Sequence, residues 1–461
     1  MAGLSAAHHA TRDDAVLTSG SRVAVIGGGP AGSLFAYFLL RMAARADLDI
    51  AVDIYEPRRF DHAGPTGCNM CGGLISESLV QHLAAEGIFL DDSVIQRGID
   101  SFVLHTDNAS VWVAAPIDEM RMGTVHRGAG PRDADPERWA PLDQYFLTKA
   151  AERGATIIRA RVDEVTRDDG RPTIRARGGE PSRYDLAVVA TGVNTSLLGA
   201  FEGLGIGYTR PQVTKTLIRE YRLGGDVIER SLGTSMHVFL LNIPRLEFAA
   251  LIPKGDYVTM CLLGDGIDTG VADAFAASPE VRRIMPAGWA PSVATCQCRP
   301  WMNVRGVDRP YGDRVVFVGD SGVSRLYKDG IGSAYRTAKA AATTALFHGV
   351  SERAFHDHFL PVCRSISNDN RVGRVAFFLT RAVQRHRPMR DAMLRVTREE
   401  QRRGQNRMSL ALWDMFSGSA PYSEILPRMF APPLIGQWLR VLPRTLFDHA
   451  PLDPWRKETA P

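Results

Sequence analysis

Two groups of residues in this 461-residue chain have types and spacings that could do chemistry. The first is Gly27-Gly28-Gly29-Pro30-Ala31-Gly32, a Gly-x-Gly-x-x-Gly run. In such a run Gly27 permits a tight turn, Gly29 lets a pyrophosphate approach the backbone, and Gly32 lets a helix pack closely on a strand. Pro30 and Ala31 then open a helix whose free N–H groups and dipole favour negative charge. Glu56, 24 residues beyond Gly32, is placed to accept hydrogen bonds from ribose hydroxyls. An acid there argues against a bound 2′-phosphate.

The second group is the cysteines, six in all. Cys261 and Cys363 stand alone and read as core. Cys68-x-x-Cys71 and Cys296-x-Cys298 form two close pairs. Cys-x-Cys is not the usual second half of a zinc site, so no metal is assigned. Cys68, Cys71, Cys296 and Cys298 are candidates for redox-active thiols, for a thiol proton donor, or for inert structure.

The elements that must position these residues are legible around them. Val23 to Ile26 is a short apolar run suited to a buried parallel strand, and Leu34, Tyr37, Phe38 and Met42 follow at helical spacing. Ile50, Val52 and Ile54 alternate toward Glu56, as a second strand should. Tyr184 to Val189 predicts another buried strand, ending in Ala190-Thr191-Gly192, and Asp313 to Val318 a further one ending in Gly319-Asp320. Asp329-Gly330-Ile331-Gly332 then leads into a helical run from Ala338 to Leu346. No second Gly-x-Gly-x-x-Gly follows a strand, so a separate nicotinamide domain is not expected.

Taken in order, these motifs resemble the FAD-containing geranylgeranyl reductase family of the flavoprotein hydroxylase superfamily. The resemblance implies that Asp320 binds the ribityl chain and that Gly330, Ile331 and Gly332 open a helix whose positive end faces the flavin. Gly192 and Val162 are assigned to the same FAD. Arg127 or Arg132 is read as a clamp for flavin or substrate phosphate, or as a solvated basic loop; Arg132 is the one assigned to the cofactor. Phe248-Ala249-Ala250-Leu251-Ile252-Pro253-Lys254 resembles the family's aromatic-x-Trp-x-Phe-Pro-Lys segment, which makes Phe248, Ala250 and Ile252 substrate-lining candidates. Ala250 and Ile252 replace bulkier aromatics and widen the expected pocket; the same residues also read as an ordinary alternating strand. Cys71-Gly72-Gly73 resembles a family stretch beside the flavin, and Cys71 or Tyr327 is the candidate acid. Val323 and Tyr327 stand where the hydroxylases commonly carry His and Pro.

The expected activity is hydride transfer from flavin to a double bond of a hydrophobic, isoprenoid-class substrate, with NAD(P)H or a ferredoxin as electron donor. An oxygen-using FAD hydroxylase and an electron-transfer or thiol-redox flavoprotein are the alternatives. The fold class predicted is α/β, a Rossmann-like FAD-binding domain with an antiparallel β-sheet substrate domain and a helical C-terminal region. Residues 19–100, 141–200 and 301–370 are assigned to the first, 101–140 and 201–300 to the second, and 371–461 to the third.

Composition excludes other classes. At 45% hydrophobic and 23% charged residues, neither disorder nor a disulfide scaffold fits. The uncharged run Val23 to Leu40 is broken by glycines and does not read as a membrane span, and no targeting signal is visible, so a cytoplasmic protein is expected. The net charge of +4 is unevenly spread. Residues 371–407 hold eleven Arg against Asp391, Glu399 and Glu400, a local +8. This stretch is a candidate docking surface for an anionic membrane or an acidic electron-donor protein; without a recognition motif, nucleic acid is not expected.

Overall fold

The computed structural model describes residues 15–64, 67–135 and 138–447. Its first layer is a six-stranded sheet in the order Tyr311–Gly312, Val315–Phe317, Leu186–Val189, Arg22–Ile26, Ala51–Tyr55 and Thr156–Ile158. All neighbours run parallel except the short Tyr311–Gly312 edge. The central strands are apolar on both faces because both are covered. Helices Pro30–Arg45 and Gly330–Phe347 pack on one face in a core that includes Phe35, Phe38, Ala338 and Ala342. On the other face Ala24, Ala187 and Phe317 join the three-stranded sheet Val162–Asp168, Arg171–Ala176 and Ser182–Arg183.

The second layer is a seven-stranded sheet in the order Cys296–Cys298, Leu217–Arg222, Tyr257–Gly264, Leu246–Lys254, Ser235–Phe239, Ser101–His105 and Ser110–Ala114. It is antiparallel apart from one parallel pair, Ser235–Phe239 with Ser101–His105. Strand alternation divides Leu246–Lys254 between two cores. Ala249 and Leu251 pack with Phe275 and Val271 on one face, whereas Ala250 and Ile252 join Met393, Leu412 and Trp413 on the other.

The assigned boundaries at residues 100, 300 and 370 each cut through an element or a sheet. Leu74–Ser76 and Ile95–Ile99 form a small sheet with Met122–Val125, and Gln212–Lys215 pairs with Trp301–Arg305. Helix Leu360–Arg385 runs unbroken across residue 370. Of the C-terminal helices that follow, Arg387–Arg402, Arg407–Ser417 and Pro432–Phe447 cover the seven-stranded sheet, and Tyr422–Met429 packs against helix Leu360–Arg385. No helix among the described residues is long and apolar enough to cross a membrane.

Candidate functional site

A cavity of about 800 Å³ opens where the two layers meet. Its floor begins at the turn after the first strand, where Gly27 takes φ +106° and a Cβ at Gly32 would lie 1.9 Å from the Gly27 carbonyl oxygen. Only glycine allows that helix-on-strand approach. Helix Pro30–Arg45 starts at Gly29 with no side-chain cap, and helix Gly330–Phe347 starts at Asp329 with none either. Gly29, Pro30, Ala31, Gly330 and Ile331 all line the cavity, so two uncapped helix N-termini face one space. Gly32 and Gly332 lie behind this wall. Gly332 makes room for the Asp329 carboxylate, which a Cβ there would meet at 2.0 Å.

Glu56, Val162, Gly192 and Asp320 also line the cavity. The Glu56 carboxylate accepts from Gly28 N and Arg58 N, both at 2.9 Å, and burial raises its pKa. Burial likewise raises Asp320, with Ser324 and Arg127 opposing.

The two arginines of the 127–132 loop separate. Arg127 lines the cavity, whereas Arg132 is exposed and outside the lining. Of the two, Arg127 is therefore the one that faces the cavity, and the expectation for Arg132 is not met by its position. The reason is Asp143, a fully buried carboxylate at the start of helix Leu142–Glu152. It accepts from Arg127 Nε at 2.6 Å, Gly128 N at 2.7 Å and Asn69 Nδ2 at 2.6 Å. Burial alone would raise Asp143 and lower Arg127, but their pairing overrides burial for both, holding the acid down and the guanidinium up. One acid thus pins the Cys71 loop and aims a cation at the cavity. Its sequence gives little sign of this, since an Asp in a helix's first turn is usually a surface residue.

Five of the six cysteines cluster. Cys298 and Cys296 stand opposite Ile218 and Glu220, and Cys261 stands opposite Ile218 on the other side, so all three share one face of the sheet with Ala250 and Ile252. Cys71 lines the cavity, its Sγ accepting from Gly73 N at 3.3 Å, and Cys261 lines it as well. Cys68, Cys296 and Cys298 do not. Burial pushes the Cys68 thiol up to about 11 and the Cys261 thiol up to about 12, and raises Cys296 and Cys298 too. Burial therefore favours the neutral thiol in each of these four, which works against thiolate chemistry there. All six cysteines are free, and no three His, Cys, Asp or Glu among the described residues converge as metal ligands.

Phe248, Ala250 and Ile252 form one wall of the far end, as the alternation requires. The bulk absent from positions 250 and 252 comes from elsewhere. Phe377 stacks on Phe248 at 6.0 Å between centroids, Phe416 meets Phe248 edge-on at 5.7 Å, and Tyr327 meets Phe377 edge-on at 4.9 Å. Met415 completes this apolar end. Helical spacing marks Phe377 and Phe416 as inward-facing, yet nothing local says what they face. Tyr327 sits at φ +61°, and burial pushes its hydroxyl up to about 12. Proline cannot take that φ, so the loop follows a path unlike one built around proline. The loop is strapped from outside by Lys328 Nζ, which donates to Asp414 O at 2.7 Å and Ala420 O at 3.2 Å. Arg325 donates to Gly418 O at 3.1 Å and Ala420 O at 2.6 Å.

No protein-family model and no curated protein sequence matches the chain. Solved structures do. A geranylgeranyl bacteriochlorophyll reductase-like protein from Thermoplasma acidophilum superposes with a TM-score of 0.62 at 16% identity, over 92% of this chain and 99% of that one. A flavin-dependent halogenase gives 0.55 at 18% identity, over 90% and 77%. A probable FAD-dependent monooxygenase from Pseudomonas aeruginosa gives 0.53 at 16%, over 76% and 95%. The chain has a flavoprotein fold. The apolar end is built from this chain's own choice of side chains.

Proposed function

We propose that the protein is an FAD-dependent oxidoreductase that reduces carbon–carbon double bonds of an apolar, isoprenoid-class substrate. The observation that carries this reading is the continuity of one cavity from the two uncapped helix N-termini to an end walled by Phe248, Ala250, Ile252, Phe377 and Phe416. FAD fits the near end. Gly27, Gly29, Pro30 and Ala31 would hold its pyrophosphate, Glu56 its ribose, Val162 and Gly192 the flanks, and Asp320 with Gly330 and Ile331 the ribityl chain and flavin. When bound and reduced, the cofactor supplies hydride.

The chain's own residues do the rest. The aromatic wall excludes water and orients an apolar chain by packing, with no charge to desolvate. Arg127, held by Asp143, places a fixed positive charge beside Asp320 and Cys71. Tyr327 keeps its proton at neutral pH, and Cys71 presents Sγ to the same space; these are the two candidate donors to the second carbon. NAD(P)H or a ferredoxin would be the electron source.

Purified protein should be yellow, and lipids extracted from it should include a prenyl compound. Under anaerobic conditions the chemically reduced protein should add two hydrogens per double bond, read by mass spectrometry. An absolute need for oxygen with a gain of one oxygen atom would instead select the hydroxylase reading. Flavin reduction coupled only to loss of free thiols would select the thiol-redox one. A Cys71→Ser chain with unchanged turnover would leave Tyr327 as the donor.

A further inference from the structure

The strongly basic stretch does not survive folding as one surface. Arg381 pairs with Glu247, Arg387 with Asp391, Arg390 with Asp107, Arg403 with Glu399 and Arg407 with Glu400. Arg398 donates to Ser110 O. Much of the charge counted in residues 371–407 therefore ties the C-terminal helices to the protein or to each other.

What remains is concentrated on helix Leu360–Arg385. Its buried side carries Cys363, Ile366, Asn370, Gly373, Ala376, Phe377 and Gln384. Its outer side repeats every seventh residue as Arg364, Arg371, Phe378 and Arg385, with Arg374 and Val375 one turn before Phe378, all exposed. At 1.5 Å per residue this stripe is about 30 Å long. Phe378 is 69% exposed and Val375 49%. The helix has a single acid, Asp369, and it is turned inward, accepting from Ser423 N at 2.9 Å and lying 3.7 Å from Arg325. The outer face is thus wholly basic, with an aromatic and a branched apolar side chain at its centre.

We infer that this face of helix Leu360–Arg385 docks the protein on an anionic lipid surface, with Phe378 and Val375 entering the acyl boundary and Arg364, Arg371, Arg374 and Arg385 lying at headgroup level. Charge complementarity selects an anionic partner, and the exposed Phe378 amid arginines selects an interface with an apolar layer beneath its charge. An acidic protein surface would match the arginines but offers no such layer. The helix is also a wall of the cavity, since Phe377, the residue beside Phe378, lines it. The inference reaches beyond the proposed activity, and its test reads binding alone, so either can fail without the other.

Full-length protein is sedimented with sucrose-loaded vesicles of phosphatidylcholine alone or with 30% phosphatidylglycerol, where ~30% is a composition at which polybasic segments partition. Binding is expected only to the anionic vesicles and should weaken with salt. The triple variant R371Q/R374Q/R385Q should lose roughly 100-fold in partition, from about a fivefold loss per arginine. F378S should lose roughly tenfold while keeping the wild-type melting temperature and flavin content. F378W should gain fluorescence quenching by brominated acyl chains over the wild-type background. Equal binding to neutral vesicles, no binding to either, or binding insensitive to both variants would overturn the inference. So would binding to an acidic ferredoxin, lost in the same variants, by a protein that ignores vesicles.

Discussion

The two ends of the cavity are built by different means. At the glycine turn the surface is backbone: N–H groups, a carbonyl approached within a Cβ's distance, and two helix starts. At the far end it is side chains drawn from 248–252, 327, 377 and 415–416. A surface made of backbone constrains residue type at each position, because Gly27 and Gly32 have no substitute there. A surface made of side chains constrains only the sum of volumes, so Ala250 and Ile252 can shrink while Phe377 and Phe416 fill in.

The comparison can be broken in several places, and the largest effect should come from Gly32→Val. Its branched side chain would enter the space held by the Gly27 carbonyl, so no folded, flavin-bearing protein is expected on size-exclusion and absorbance. Asp143→Asn keeps the shape but leaves a buried Arg127 without its counter-charge, a loss of about 3–5 kcal/mol in chemical denaturation. Full stability in that variant would mean that Arg127 does not need the carboxylate.

Acid should act on the seven-stranded sheet, on the face turned away from the cavity. His237 is pushed down to about 3 by burial, and His105, stacked on it with 2.9 Å between ring nitrogens, is lowered as well. Both are neutral when folded and take protons near 6.5 only when unfolded. Their contribution is complete above about 6.5 and lost as pH falls below it, by ~1.4 kcal/mol per pH unit per histidine. Melts at pH 7.5 and 5.5 should show this slope, and His237→Gln should reduce it.

Gly29→Ala sharpens the contrast most cleanly. A Cβ there meets nothing closer than 3.7 Å, so the apoprotein should melt normally while FAD affinity falls by roughly 100-fold, about 2.7 kcal/mol. Undiminished flavin binding would move the pyrophosphate elsewhere. Phe416→Ala should do the reverse, leaving flavin content unchanged and raising KM for a prenyl substrate roughly tenfold, about 1.4 kcal/mol.

The same difference explains what was legible in the sequence. Gly27 to Gly32, Glu56, the strand ending at Gly192 and the Gly319-Asp320 turn follow local rules of chain geometry, and the parallel sheet follows from them. Alternation also placed Phe248, Ala250 and Ile252 on one face. Arg127 could not be told from Arg132, because the choice rests on Asp143 arriving from another helix. The cysteine pairs suggested reactivity by spacing, but burial, a tertiary property, decides their protonation. The charge of residues 371–407 was visible as a sum; which arginines are consumed by Glu247 or Asp107 was not.

The straps on loop 325–329 have a consequence for the order in which the protein is completed. Lys328 and Arg325 bond carbonyls 86 to 95 residues further along the chain. At roughly 5–20 residues per second, the nucleotide sheet leaves the ribosome several seconds before its latch is synthesised. Until then Phe248 lacks Phe416, which packs on it edge-on in the finished protein. The last stretch of the chain is therefore a closing step. A nascent protein holding flavin early would still be open to off-pathway association until residue 420 emerges.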